Sequence, residues 1–420
     1  MNIRELADEN FDLVVEYRRH IHENPELSAV EFETLKYIKA HLEKVGIPYQ
    51  EMPNGGILGF IEGGKPGKTV LLRGDMDALA INETEKNLKN VRVCRSKNDG
   101  VMHACGHDAH TSMLMVAGKI LWENRSELEG NVLLCFERGE EGSDCILWIM
   151  RYLMDNKIHY DAAFGVHVDY RIPSGKISLL HGAEEAGVLP IDIKVIGRGG
   201  HGSRPDLCNN PIDCMMQIVS ALKDARMRYI TPTEPLTVGI NVFRAGTQHN
   251  AVPEEGVLAG SVRYFSVKKV AEPFKDIMRR ICKAAAEQFD CQVILDSDKS
   301  RTGMLPVYND DVLADLGQKA FRKHMDSDVV QNAEPQFTSE SFSWYGMLAP
   351  IVYATLGVTN PEYGSGADLH NPYFDLDEES LRYGVMAYVS FAYEYLKAGD
   401  IKTCWESPSQ ELIDSCFPKE

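Results

Sequence analysis

The sequence predicts an α/β protein: a three-layer sheet domain with a second, compact β-α-β-β-α-β unit inserted into it. Three observations carry that prediction. Short β-branched or apolar runs at 69–72, 132–136 and 162–166 alternate with helical segments. Near residue 190 the alternation gives way to a strand and helix order sufficient for a separate domain of about 110 residues. After residue 300 the original rhythm returns.

The elements follow in order. Residues 4–24 and 29–45 place apolar side chains at helical spacing (Leu6, Phe11, Val14 and Val15, then Phe32, Leu35, Ile38, Leu42 and Val45). Asn24-Pro25 separates the two helices and Gly46 closes the second. Strand 69–72 precedes a helix over 110–123, with Met113, Ala117, Ile120 and Leu121 on one side, and strands 132–136 and 162–166 come next. Pro190 and the alternating Ile191, Ile193 and Val195 begin a strand that runs into the glycine-rich 197–202. A helix over 211–228, strands 236–243 and 256–265, a helix over 272–289 and strand 292–296 complete the insertion. Helix 311–324, strand 351–356 and a long amphipathic helix over 376–397 follow it. Residues 1–186 and 299–420 are therefore expected to complete one domain from which 187–298 hangs. Residues 401–420 have little periodicity and read as a surface extension, and no internal repeat is present.

Composition narrows the function. The 420 residues leave room for two or three domains, and 44% hydrophobic content excludes a wholly disordered chain. With 62 acidic and 44 basic side chains the net charge of −18 works against non-specific binding to nucleic acid or anionic membrane, so small-molecule partners are expected. The first twenty residues lack the apolar core of a secretory signal, and no stretch reaches the ~18 apolar residues of a membrane span. A cytoplasmic protein is expected. Ten scattered cysteines show no paired framework, which suits buried small hydrophobes with Cys105 as the exception.

The densest chemistry is Met102-His103-Ala104-Cys105-Gly106-His107-Asp108-Ala109-His110, just before a helix. A thiolate and an imidazole on a turn kept open by Gly106 can both point at one cation. The alternative is a polar turn with Asp108 as helix N-cap. Strand 132–136 runs into Glu137-Arg138-Gly139-Glu140-Glu141, placing two carboxylates at a strand end, where one could bind metal and its neighbour act as a base. His167 follows the run 162–166, and His370 lies in the loop 364–372. Asp75 and Asp77 share a face at the end of strand 69–72, as ligands or as groups orienting a ligand histidine.

These stretches, together with Arg18-Arg19-His20-Ile21-His22-Glu23-Asn24-Pro25-Glu26-Leu27-Ser28, resemble the co-catalytic metallopeptidase and aminoacylase family. The resemblance is to its branch of auxin-conjugate (IAA-amino acid) hydrolases, hippurate hydrolases and N-acyl-amino-acid amidohydrolases, and it spans nearly the whole chain. It implies a three-layer αβα catalytic domain with a mixed sheet and an inserted ferredoxin-like lid and dimerisation domain. It further implies that Cys105, His107, Glu141, His167 and His370 hold two divalent ions, zinc or manganese first and cobalt or nickel next, with Glu140 as general base and Asp77 supporting the shell. His201, in Gly199-Gly200-His201-Gly202, matches the residue that stabilises the oxyanion, commonly across a homodimer interface, and Asn250 and Arg263 match positions that bind the substrate carboxylate. The implied reaction is hydrolysis of the amide of an N-acyl or conjugated amino acid by a metal-bridged water. The alternatives are a dipeptidase or carboxypeptidase on the same centre, or a non-catalytic relative using the site as a metal clip or ligand pocket. Three departures stand out: Glu137-Arg138-Gly139 where relatives usually have Gln-Pro-Ala, Ser341 where they usually have Asp, and Ala80 for a common proline.

Overall fold

A computed structural model describes residues 1–142, 144–295, 305–409 and 413. Helices α1 (Ile3–Glu9), α2 (Phe11–Glu23) and α3 (Phe32–Val45) open the chain, followed by strands β1 (Tyr49–Met52), β2 (Gly56–Glu62) and β3 (Lys65–Asp75). Helix α4 (His107–Glu123), β4 (Glu129–Glu137), α5 (Cys145–Asp155), β5 (Ala162–Pro173), β6 (Ile177–Ser178) and β7 (Gly182–Glu185) come next. Then follow β8 (Gly187–Ile196), β9 (Gly200–His201), α6 (Pro211–Tyr229), β10 (Leu236–Ala245), β11 (Ala251–Val252), β12 (Glu255–Tyr264), α7 (Glu272–Phe289) and β13 (Gln292–Leu295). Strand β14 (Val307–Asn309), α8 (Asp311–His324), β15 (Ile351–Thr359) and α9 (Leu381–Lys397) complete the fold. The chain divides into a larger unit, Met1–Glu184 with Tyr308–Glu334 and Ser341–Glu420, and a smaller one, Glu185–Val307 with Pro335–Glu340.

The larger unit is built on a seven-stranded sheet in the order β1-β2-β4-β3-β5-β15-β6. Its centre is parallel, and the flanks run antiparallel, so the sheet is mixed. Both faces are covered, as central parallel strands require. Val70 and Leu72 pack toward α1–α4, α8 and α9, while the alternate Leu71 is equally buried on the opposite face, which α5 and the short helix Ser341–Met347 cover. These are the three αβα layers. The smaller unit is an antiparallel sheet in the order β10-β12-β8-β13, with α6 and α7 closing its core around Ile191, Ile193, Val195, Ile218, Phe274 and Ile277, a ferredoxin-like arrangement.

Local differences from the periodicity have physical causes. Where one helix is predicted over 4–24, two form: Asn10 (φ −102°, ψ 11°) leaves the helical region and its side-chain amide donates to Leu6 O at 2.8 Å. Helix α9 starts at Leu381 rather than 376, because Asp377 caps the short turn Glu378–Ser380 by accepting the Glu379 N–H. Strand β2 gives no alternation signal since both its faces are buried from Gly56 to Gly59, and its antiparallel pairing with β4 mixes the sheet. Residue 296 and the expected insertion boundary at 298 lie outside the described residues, as does most of 410–420. Within the extension, Trp405 Nε1 donates to Gly346 O at 2.9 Å. Among the described residues no helix is long and apolar enough to cross a membrane.

Candidate metal centre and active site

The carboxyl ends of β3 and β4, the middle of β5 at His167 and the first turn of α4 converge, close to where open α/β sheets place their sites. Parallel register brings Asp75 opposite Glu137 and Arg73 opposite Gly165, two residues before His167. Gly106 is the N-cap of α4 at φ +81°, and a Cβ there would sit 2.4 Å from Val168 Cγ2, so only glycine fits between Cys105 and His107. That turn, rather than an Asp108 cap, starts the helix; Asp108 is buried inside the first turn and pairs with Arg18 Nε at 2.8 Å.

Donor atoms from distant parts of the chain then share a small volume. Cys105, His107 and His167 place their ligand atoms within 4.8 Å of one another, as do Cys105, Glu141 and His370, and also His107, Glu140 and Glu141. Cys105 Sγ is 3.5 Å from His167 Nε2, and Glu141 Oε1 lies 3.0 Å from His370 Nε2. His370 is held with φ +57°, its N–H donating to Ala104 O at 2.8 Å, a left-handed conformation that costs a non-glycine residue about 1–3 kcal/mol and is typical of functional positions.

Hydrogen bonds behind the candidate ligands fix their tautomers. His167 Nδ1 lies 2.7 Å from Val168 O, and a carbonyl can only accept, so the proton is on Nδ1 and Nε2 turns a lone pair toward Cys105. His107 Nδ1 faces Asp77 Oδ1 at 3.0 Å, so its Nε2 likewise points inward. Asp77 Oδ2 accepts the Ser28 hydroxyl at 2.5 Å and the Glu141 N–H at 3.0 Å. His107 Nε2 is buried with no hydrogen-bond partner, and Glu141 Oε1 has no aligned donor. Such orphaned polar atoms are costly in a protein interior, and a divalent cation among thiolate, imidazole and carboxylate would satisfy them.

The electrostatics agree. Burial, reinforced by Glu141, pushes the Cys105 thiol well above its usual range, so a thiolate at this position needs a cation beside it. Burial acts to lower His107, but the Asp75 charge and the Asp77 hydrogen bond prevail and raise it well above the ordinary imidazole. Burial acts to raise Asp77, yet the His107 hydrogen bond holds it below the usual carboxylate range.

Glu140 is half-buried, and its Oε1 accepts the Ser341 N–H at 2.9 Å. The departures beside it touch one another and the turn: Ser341 Oγ donates to Glu137 Oε1 at 2.6 Å, Arg138 pairs with Glu31 at 2.9 Å, and the Gly139 N–H donates to Glu31 at 2.7 Å.

His110 has a part that sequence reasoning missed. Its Nδ1 binds Asp75 Oδ1 at 2.6 Å and its Nε2 accepts the Val168 N–H at 2.9 Å, so both nitrogens are used and it does not serve as a ligand despite lying with Asp75 and His107. The two aspartates thus separate, Asp77 holding His107 and Asp75 holding His110. The available signal was a charged Arg73 directly after an apolar strand run, buried here with Asp75.

His201, Asn250 and Arg263 belong to the smaller unit. His201, on β9, pairs with Ala251 of β11 and is exposed; its Nδ1 accepts from the Ser203 N–H at 3.2 Å, which leaves Nε2 as the donor. Asn250 O accepts the Gly202 N–H at 2.8 Å, so Asn250 and His201 lie close together across the β9–β11 pair. Arg263, on β12, donates to Ser339 Oγ at 3.1 Å.

Comparison with known proteins adds independent weight. The family model for peptidase family M20/M25/M40 matches residues 71–394. The IAA-amino acid hydrolase ILR1-like 4 of Arabidopsis thaliana is 33% identical over 396 residues, 93% of this chain and 88% of that protein. Thermostable carboxypeptidase 2 of Saccharolobus solfataricus is 33% identical over 392 residues, 91% of this chain and 95% of that protein. The crystal structure of the Bacillus subtilis YXEP protein, described as a dinuclear metal-binding peptidase of family M20, superposes with a TM-score of 0.78 at 27% identity, covering 93% of this chain and 99% of its own. This chain therefore belongs to peptidase family M20/M25/M40, a family of hydrolases.

Proposed function

We propose that the protein is a metal-dependent amidohydrolase cleaving the amide bond of N-acyl or otherwise conjugated amino acids. The observation that carries this reading is a second carboxylate beside Glu141: Glu140 stands with His107 and Glu141 in one donor group, and the Ser341 N–H orients it. A purely structural metal clip needs no such base. In this reading Cys105, His107, Glu141, His167 and His370 hold two divalent ions, and their mixture of soft and hard donors favours zinc or manganese, with cobalt and nickel next. When bound, such ions polarise a carbonyl and make water a stronger acid at neutral pH.

Glu140 takes a proton from the attacking water and passes it to the leaving amine. Asp77 keeps the His107 ring in place throughout. The Nε2–H of His201 donates to the developing oxyanion, and Arg263 with Asn250 takes the substrate's carboxylate, the guanidinium offering two parallel donors. These last three roles rest on the family resemblance. In this account 1–186 with 299–420 is the catalytic domain and 187–298 the lid, through which a homodimer forms; exposed Met216, Met227, Tyr229 and Phe243 support that surface. A reducing, cytoplasmic setting belongs to the same reading.

The Arabidopsis relative, named for hydrolysis of IAA-amino acids, supports the acyl-amide reading. The carboxypeptidase relative, at equal identity, favours a second reading in which the same centre cleaves a peptide bond. Paired assays of N-acyl amino acids and free-amine dipeptides on metal-loaded protein separate the two. Glu140→Gln should retain metal and lose at least ~10²-fold in kcat. Near-normal turnover by that variant would refute the assignment.

A further inference from the structure

We propose that Glu137 and Ser341 are a positioning pair for Glu140, setting the base through a buried hydrogen-bonded network that also fixes the peptide after His167. The proposal deepens the reading of Glu140 as general base and rests on it.

The network begins at the Ser341 N–H on Glu140 Oε1. What places that N–H is the Ser341 side chain. A hydroxyl has one proton to give and can accept as well. Here it donates to Glu137 Oε1 at 2.6 Å and accepts from Arg73 Nη2 at 2.8 Å, and since a guanidinium only donates, this sense is the one that satisfies both contacts. Glu137 Oε2 in turn accepts Arg73 Nε at 2.8 Å and the Tyr345 hydroxyl at 3.0 Å. Arg73, Glu137, Ser341 and Tyr345 are each no more than 1% exposed, so every one of these bonds lies in a weakly screened interior. Glu137 therefore reaches Glu140 by two routes, along the short turn between them and across the sheet end through Ser341.

The other arm of Arg73 runs to the metal side. Nη1 binds Asp75 Oδ2, Asp75 Oδ1 holds His110 Nδ1, and His110 Nε2 accepts the Val168 N–H. The carbonyl of that same residue fixes His167 Nδ1. One buried guanidinium thus registers the base against a ligand histidine. Its charge is met by Asp75 and Glu137, and the second of these carboxylates does not have to stand at 137. A carboxylate at 341 would occupy the hydroxyl's place, within reach of Arg73 Nη2 and of an amide at 137.

That geometry gives a rescue test. Glu137→Gln sets an amide donor against the Arg73 and Tyr345 donors, and Ser341→Asp sets a second carboxylate against Glu137. Each single variant should lower kcat on an N-acyl amino acid by roughly 10- to 100-fold, the scale of a reacting group displaced by about 1 Å. KM should stay within about threefold, since substrate binding is untouched. The double variant E137Q/S341D restores the carboxylate count and the donor–acceptor match, and its kcat should return to within about threefold of wild type. Metal content and urea midpoints are measured on each. Normal kcat in both single variants overturns the proposal, as does a double variant impaired by the product of the two, or a loss that follows metal content. Should E137Q fail to fold, Ser341→Ala decides: it keeps the backbone N–H and should lose kcat in the same direction, whereas full kcat there overturns the pairing. An inactive Glu140→Gln beside normal E137Q and S341D would leave the base assignment standing and remove the positioning pair; an active Glu140→Gln would remove the base assignment itself.

Discussion

Gly106→Ala concentrates the local argument in one methyl group. The backbone at 106 is left-handed, φ +81°, which costs an L-residue roughly 1–2 kcal/mol. The added Cβ would stand 2.4 Å from Val168 Cγ2, and relieving such overpacking costs about 1–3 kcal/mol. Alanine's reduced freedom in the unfolded chain returns about 0.4–1 kcal/mol. The net expectation is a loss of about 1–5 kcal/mol. Urea unfolding of chelator-treated wild type and variant measures it with no contribution from bound metal. Because the clash is with one methyl of Val168, G106A/V168A should be more stable than the sum of the single effects by about 1 kcal/mol or more, which a double-mutant cycle reads directly. A loss below about 0.5 kcal/mol, or strict additivity with Val168→Ala, would refute the claim that this turn admits only glycine. The same variant should bind metal less well, because Cys105 and His107 flank the strained residue.

Asp77→Asn should weaken metal binding by about 10- to 100-fold, since three donors (His107 Nδ1–H, the Ser28 hydroxyl and the Glu141 N–H) share two oxygens of which an amide keeps one; competition with a chromophoric chelator tests this, and unchanged affinity would contradict it. Glu184 gives a pH dependence. Burial pushes its carboxyl up to about 8, so the folded chain holds a proton that the unfolded chain, with an ordinary carboxylate near 4.5, releases. The unfolded state therefore binds fewer protons, and stability falls as pH rises from about 4.5 through about 8, by up to ~1.4 kcal/mol per unit. Glu184→Gln should flatten that decline and raise the urea midpoint at pH 8; parallel profiles for the two proteins would contradict it.

Legibility of the sequence followed the range of the contacts. The candidate donors Cys105 and His107 were legible because three residues carry both, Glu140 and Glu141 because they follow an apolar strand on its turn, and His167 because it follows the apolar run 162–166, although β5 continues through it to Pro173. The α/β class and the inserted split-βαβ unit were readable from periodicity alone, while Asn10 and Asp377 shifted helix boundaries by hydrogen bonds that periodicity does not register. The buried fork of Arg73 was not readable. It joins Ser341 to Glu137 across 204 residues, and neither position betrays burial, since serine and glutamate in a loop or at a strand end read as solvated. His110 was hidden by its neighbours: in a motif of three histidines nothing in the spacing says which one gives both nitrogens to the protein and which keeps one for a cation. The separate duties of Asp75 and Asp77 were likewise left open by the alternation that placed them on one face.

The most direct measurement is a cobalt titration of the chelator-stripped chain, following thiolate-to-metal charge transfer in the near ultraviolet together with turnover of an N-acyl amino acid. The account requires two equivalents bound per chain, a charge-transfer band that Cys105→Ser abolishes, and activity that rises with occupancy. Turnover undiminished in the stripped chain, or cobalt bound without any signal from Cys105, would contradict it.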